Sequence, residues 1–171
     1  MNRAAATHIA SPVPYASSDD FGRIFSEEMD NLYQLSLLLT GDHEKAEQCF
    51  VSGLEDSVNG NRVFKEWARS WARRAVIQCA VRVVNPRPME EGDPLTSNGS
   101  RDRWANEREE TAAILGLRPF ERFVFVMMVL ERYSDQDCSV LLGCSKRDVV
   151  AARIRVFQQL ETRSTGTLSG R

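Results

Sequence analysis

Apolar residues recur every three or four positions through most of this chain, the period of a helix that buries one face. Phe21, Ile24, Phe25, Met29, Leu32, Leu35 and Leu38 form the first such stripe, with Asp19 or Asp20 placed to cap its start. Thr40-Gly41-Asp42 interrupts the pattern: glycine permits a left-handed stop, and Asp42 suits the cap of the next helix. That helix carries Ala46, Cys49, Phe50, Gly53 and Leu54 on one face and runs into the turn signal Asn59-Gly60-Asn61. From Arg62 to Val84 the pattern is helical again, with Phe64, Trp67, Ala68, Trp71, Ala75 and Cys79 as its stripe. Asn85-Pro86-Arg87-Pro88 ends it, because a proline pushes the residue before it out of helical geometry.

From there to about Arg103 the chain holds Pro94 and Gly- and Ser-containing breaks and reads as a linker. A short helix is expected over Ala105–Leu115, and Pro119 suits a first helical position. The run Phe123 to Leu130 has the length and β-branching of a buried strand, but no partner strand exists elsewhere, so it is assigned to helix and to core. Ser134 to Leu142, the turn Gly143-Cys144-Ser145 and a last helix to about Glu161 complete the chain. The expected fold is all-α: two small helical units, 19–84 and 105–163, joined by a linker over 85–104. Aperiodic tails are expected over 1–18 and 164–171.

Composition narrows the function classes. No apolar run approaches the roughly 18 residues of a membrane span, and the start of the chain does not read as a secretory signal, so a cytoplasmic location is expected. Two histidines and four scattered cysteines leave little for a metal site. No Gly-rich phosphate loop or nucleophile–base pair is present, so neither catalysis nor a cofactor is expected. Cys138 and Cys144 read as buried free thiols, with a redox switch as the alternative. Trp67 and Trp71 read as core, with a base-stacking role as the alternative.

The net charge of −2 hides a segregation. Residues 19–56 carry a net of −8, residues 62–87 a net of +6, and residues 143–171 a net of +4. Attraction to phosphate depends on where charge sits, so two basic segments permit two contacts with nucleic acid; solvated helix faces are the plainer reading. On a helix, Arg62, Lys65, Arg69 and Arg73 fall on one face.

Tyr133 to Leu160 has the spacing of a helix-turn-helix, with Ser134/Asp137 and Ser145/Asp148 in the positions of capping boxes. Val149, Ala152, Val156 and Leu160 would face inward; Arg147, Val150, Ala151, Ile154, Arg155 and Gln158 would face outward. A recognition helix reads DNA chiefly with its N-terminal outward residues, here Ser145, Lys146, Arg147 and Val150. A plain helical hairpin is the alternative.

The segments Leu117-Arg118-Pro119-Phe120-Glu121-Arg122-Phe123-Val124-Phe125 and Leu141-Leu142-Gly143-Cys144-Ser145, with Val149 and Arg155, resemble region 4 of sigma-70-type sigma factors, most nearly the extracytoplasmic-function group. Phe25, the segment Leu32 to Asp42, and Ala46-Glu47 are similar to regions 2.1 and 2.2, and Phe64 and Trp67 to the start of regions 2.3 and 2.4. The ordered pair covers roughly residues 20–161. The resemblance implies a subunit that binds bacterial RNA polymerase core, at the largest-subunit clamp and the flap, and directs transcription initiation at promoter DNA. It admits an anti-sigma factor as a further partner. By position, Glu47, Gln48, Val51, Ser52 and Glu55 would face polymerase. Arg62, Lys65, Arg69, Arg73 and Arg74 would meet the −10 element, and Ser145, Lys146, Arg147, Val150, Ala151 and Arg155 the −35 element.

This chain departs from the family pattern at several of those positions. Gln48, Val51 and Ser52 replace an acidic and amide set, Arg74 and Gln78 replace an Asn and an Asp, and Val150 and Ala151 replace polar side chains. The alternative is a sigma-like DNA-binding regulator or adaptor that no longer binds core polymerase.

Overall fold

The computed structural model describes residues 14–88 and 109–166. It is all-α: α1 (Ser18–Glu27), α2 (Met29–Thr40), α3 (His43–Asn59), α4 (Ala68–Val84), α5 (Glu109–Leu115), α6 (Pro119–Phe125), α7 (Asp135–Leu142) and α8 (Lys146–Gly166). Among the described residues no strand forms beyond one antiparallel bridge between Tyr15 and Phe64. The expected linker lies mostly outside the described residues, as does Trp104.

Local chemistry sets most helix ends. Gly41 takes the left-handed conformation (φ 64°), its N–H bonds the Leu37 carbonyl, and Asp42 accepts the Lys45 N–H to start α3. Pro119 opens α6, and Asn85 ends α4 in the left-handed region, its N–H returned to the Val81 carbonyl. The run after Pro119 is helical, as assigned, and finishes in a π-helical turn over Val126–Leu130. Phe123, Val124, Val126 and Met127 are buried, but Val129 and Leu130 are exposed, so the end of this run is not core.

Five expectations are corrected. The first stripe is two helices, broken at Glu28 (φ −107°, ψ 21°), whose carboxylate is drawn to Arg69 and Arg73 of α4. The cap of α1 is Ser17, not Asp19 or Asp20: Ser17 Oγ accepts the Asp20 N–H, and the Asp20 carboxylate accepts the Ser17 N–H at 2.9 Å. Pro14 to Ser17, read as tail, are fixed by backbone bonds: the Ala16 N–H to the Val63 carbonyl and the Lys65 N–H to the Pro14 carbonyl. That pairing keeps 62–64 extended, so α4 begins only at Ala68, after a single 3-10 turn over Lys65–Trp67. At the other end α8 continues to Gly166.

Side chains from both halves of the sequence form one continuous core, from Phe21, Leu32, Leu39 and Val76 through Phe120, Phe123 and Met127 to Val149 and Ala152. A cation sits at the junction. Arg122, 6% exposed, has no carboxylate partner among the described residues; its guanidinium donates to the carbonyls of Leu39, Thr40, Leu115 and Leu117 at 3.1–3.4 Å. Burial pulls its pKa down to about 10, so it remains charged at neutral pH. The space exists because residue 41 has no side chain: a Cβ there would lie 2.9 Å from the guanidinium nitrogens.

Arg122→Met strands those carbonyls and is expected to cost about 2–4 kcal/mol in urea unfolding. Gly41→Ala both strains a left-handed residue and displaces the guanidinium, so it should cost clearly more in the native protein than in an Arg122→Met background. There only the backbone strain of roughly 1–2 kcal/mol remains.

Acid should loosen the helix starts. Serine bonds hold Asp20 at about 2, and Asp137 and Asp148 below the ordinary 3.8. A carboxylate whose pKa falls on folding contributes stability above its unfolded pKa and loses it as the pH falls through its folded value. Chemical-shift titration of the Ser17 and Asp20 amides is therefore expected to show the α1 cap releasing only as the pH approaches about 2.

Candidate nucleic-acid interface

The segment α7–turn–α8 is built by reciprocal capping. Ser134 Oγ accepts the Asp137 N–H while the Asp137 carboxylate receives the Ser134 N–H and hydroxyl; Ser145 and Asp148 repeat the arrangement at the head of α8. Gly143, left-handed at φ 63°, turns the chain between them and returns its N–H to the Ser139 carbonyl. Val149, Ala152 and Val156 are buried, and Leu160 is half-buried, as the inward stripe requires.

The outward residues of α8 divide into two groups. Ser145, Lys146 and Arg147 are exposed, Val150 and Ala151 are half-buried, and Ile154 is exposed. Arg155 is instead tied down: its Nε donates at 2.8 Å to Glu121, a carboxylate only 2% exposed that also holds Arg118. Arg153 pairs with Asp135 at 2.9 Å. The α6 acid thus orients α8, and Arg153 and Arg155 spend their charge within the fold.

The basic face expected around α4 is similarly committed. Lys65 pairs with Asp20 at 3.2 Å, Arg69 with Glu27 at 2.6 Å and with Glu28, and Arg73 with Glu28 at 3.1 Å and Glu131 at 2.9 Å. Arg74 is half-buried, close enough to Tyr133 to act on its hydroxyl electrostatically. Arg62 lies before the helix, its guanidinium carbon 5.8 Å from the centre of the Tyr15 ring. Arg69 and Arg73 are brought together on Glu28, and of the five residues Lys65, Arg69 and Arg73 face acids.

Beside them is an aromatic cluster that periodicity did not reveal. Tyr15 stacks on Phe64 at 4.8 Å, and Phe64 meets Trp67 edge-on at 5.3 Å. Trp67 is 58% exposed, so the expectation that it is core is overturned; the 3-10 turn swings it out of the α4 stripe. Trp71, in contrast, packs against the core and lines a shallow cleft of about 310 Å³ with Gln78 and the Arg82–Asp56 pair. Exposed rings next to a guanidinium suit stacking on unpaired bases. Tyr15 had no signal of its own, because it lies in a segment without periodicity and is placed by a bridge to residue 64.

On α3, Glu47, Gln48, Val51 and Glu55 are exposed along one stripe, with Ser52 half-buried at its edge. Ala46, Cys49, Gly53 and Ser57 turn inward. Gly53 is a close-approach position, since a Cβ would meet the Val76 side chain at 2.8 Å. All four cysteines are free thiols, and burial pushes Cys49 and Cys138 up to about 12, far from the reactive thiolate. Among the described residues no cluster of three or more His, Cys, Asp or Glu side chains is placed to hold a metal ion, and no helix is long and apolar enough to cross a membrane.

If acids mask the α4 face, removing them should reveal it. Glu28→Gln with Glu131→Gln is expected to steepen the salt dependence of non-specific DNA binding by about one unit in the log–log slope, the share of Arg73, since Arg69 keeps its pair with Glu27. Glu44→Gln with Glu47→Gln makes the same charge change on the outer face of α3 and should leave the slope nearly unchanged, as fluorescence anisotropy across a salt series will read.

No protein-family model and no curated protein matches the sequence, so any functional reading rests on the residues and their arrangement.

Proposed function

We propose that the chain is a divergent sigma-type factor that joins RNA polymerase core and directs transcription initiation at promoter DNA, with no catalysis of its own. The observation that carries this reading is the reciprocally capped α7–Gly143–α8 unit, which leaves Ser145, Lys146 and Arg147 exposed at the head of its second helix. That is the end from which a recognition helix reaches base edges. The resemblance of the two halves, in order, to sigma regions 2 and 4 supplies the rest. In this reading the α3 stripe of Glu47, Gln48, Val51, Ser52 and Glu55 meets polymerase, the Arg62–Trp67 neighbourhood meets the −10 strand, and α8 meets the −35 duplex.

One observation favours a second reading, a sigma-like regulator or adaptor without core binding. The acids that pair Lys65, Arg69 and Arg73 neutralise three of the five cations of the −10 face unless they are displaced.

Purified chain mixed with core polymerase and passed over a sizing column separates the two; the first reading expects co-elution, and separate peaks would sink it. Within the complex, Arg147→Ala is expected to weaken −35 protection about tenfold. Arg69→Ala with Arg73→Ala should instead lower permanganate reactivity at −10. Equal effects of both sets at both elements would overturn the residue assignment.

A further inference from the structure

The outward face of α8 carries a pattern of side chains whose consequence for base recognition is specific. Between residues 146 and 154, Val149 and Ala152 are buried, Asp148 is held in its capping box, and Arg153 is paired with Asp135. Arg155, the next polar candidate, is held by Glu121. The side chains left to face outward are Lys146, Arg147, Val150, Ala151 and Ile154, the last 51% exposed. Two cations thus stand at the head of an otherwise apolar strip.

Resting on the reading above, in which α8 enters a major groove, we infer that this strip recognises thymine through its 5-methyl group, with Val150 and Ala151 as the specificity-determining residues and Arg147 reading an adjacent guanine. Valine and alanine neither donate nor accept hydrogen bonds, so they tell bases apart by apolar contact, and thymine is the base that presents a methyl in the major groove. Arg147 has the planar donor pair that matches the guanine O6 and N7 acceptors. From Arg147 to Ile154 the helix advances about 10 Å, the reach of roughly three base pairs. Lys146 and Arg147 give this end of the strip a positive charge that complements a polyanion, which is why a nucleic acid is favoured over an apolar protein surface as its occupant.

The test uses the full chain with polymerase core and a duplex pool of random sequence, from which bound elements are enriched. The upstream element is located as the one whose protection Arg147→Ala removes, and its thymines are then replaced by uracil, which deletes the methyl and keeps the pairing. Retention is expected to fall about fourfold for each methyl buried, and Val150→Ala, a small change at a half-buried position, should shrink that thymine–uracil difference. Equal retention of the thymine and uracil elements overturns the methyl readout and leaves the sigma-type reading intact. No element enriched at all overturns the sigma-type reading itself, and the inference with it. A thymine preference undiminished by both Val150→Ala and Ala151→Gly places the readout elsewhere and also overturns the inference. If Val150→Ala costs retention on core polymerase without touching thymine discrimination, the strip docks protein and the inference fails.

Discussion

One buried guanidinium sets the arrangement of everything else. The last carbonyls of α2 have no partner within their own helix, and Leu39 and Thr40 would bury theirs unsatisfied against α6. Arg122 answers them, and with its remaining donors it gathers the carbonyls of Leu115 and Leu117 at the end of α5. The cation also lies at the negative end of the α2 dipole, which offsets part of the cost of burying its charge. Gly41 makes the approach sterically possible, and its left-handed turn directs the chain into α3. A helix end in one half of the sequence is therefore completed by a side chain from the other, and the core runs through both.

That closeness changes what the charge pattern means. Along the sequence, an acidic block precedes a basic one; in space, the acids of α1 and the α1–α2 break lie against the cations of α4. Arg73 reaches both Glu28 and, across the junction, Glu131. Exposed pairs such as Arg69–Glu27 contribute little to stability, but the pairs together decide which cations are available to a partner. Lys146 and Arg147 are exposed, and Asp148, their neighbour in sequence, is engaged by Ser145.

Features that depend on a few neighbouring residues were legible in the sequence. Gly41, Asp42, Pro119, Gly143 and the serine–aspartate boxes of α7 and α8 each act through bonds spanning three or four residues, and each does in the fold what its type requires. What escaped were the consequences of distant pairing. The break at Glu28 has no glycine or proline to announce it and coincides with a carboxylate recruited from 41 residues away. Tyr15 and the late start of α4 depend on backbone bonds between residues nearly 50 positions apart. Among the candidate site residues, the head of α8 follows from helical period and the set on α3 was implied by the resemblance, whereas the occupation of Arg69, Arg73, Arg153 and Arg155 by acids follows from neither.

A polyanion approaching this molecule thus meets two unequal surfaces. At α8 it finds cations already exposed, and contact requires only the release of counterions. At α4 it must exchange phosphate for Glu27, Glu28 and Glu131, and because Glu131 belongs to the second half, that exchange works against the junction that Arg122 holds. Binding at α4 and the packing of the two halves are therefore linked, and by reciprocity whatever weakens the junction raises the affinity of the α4 face. High salt screens the internal pairs and the phosphate contacts alike, so it does not by itself favour the exchange. A contact made first at α8 raises the local concentration of the same strand near α4, which is the one favourable term the geometry supplies without altering the fold.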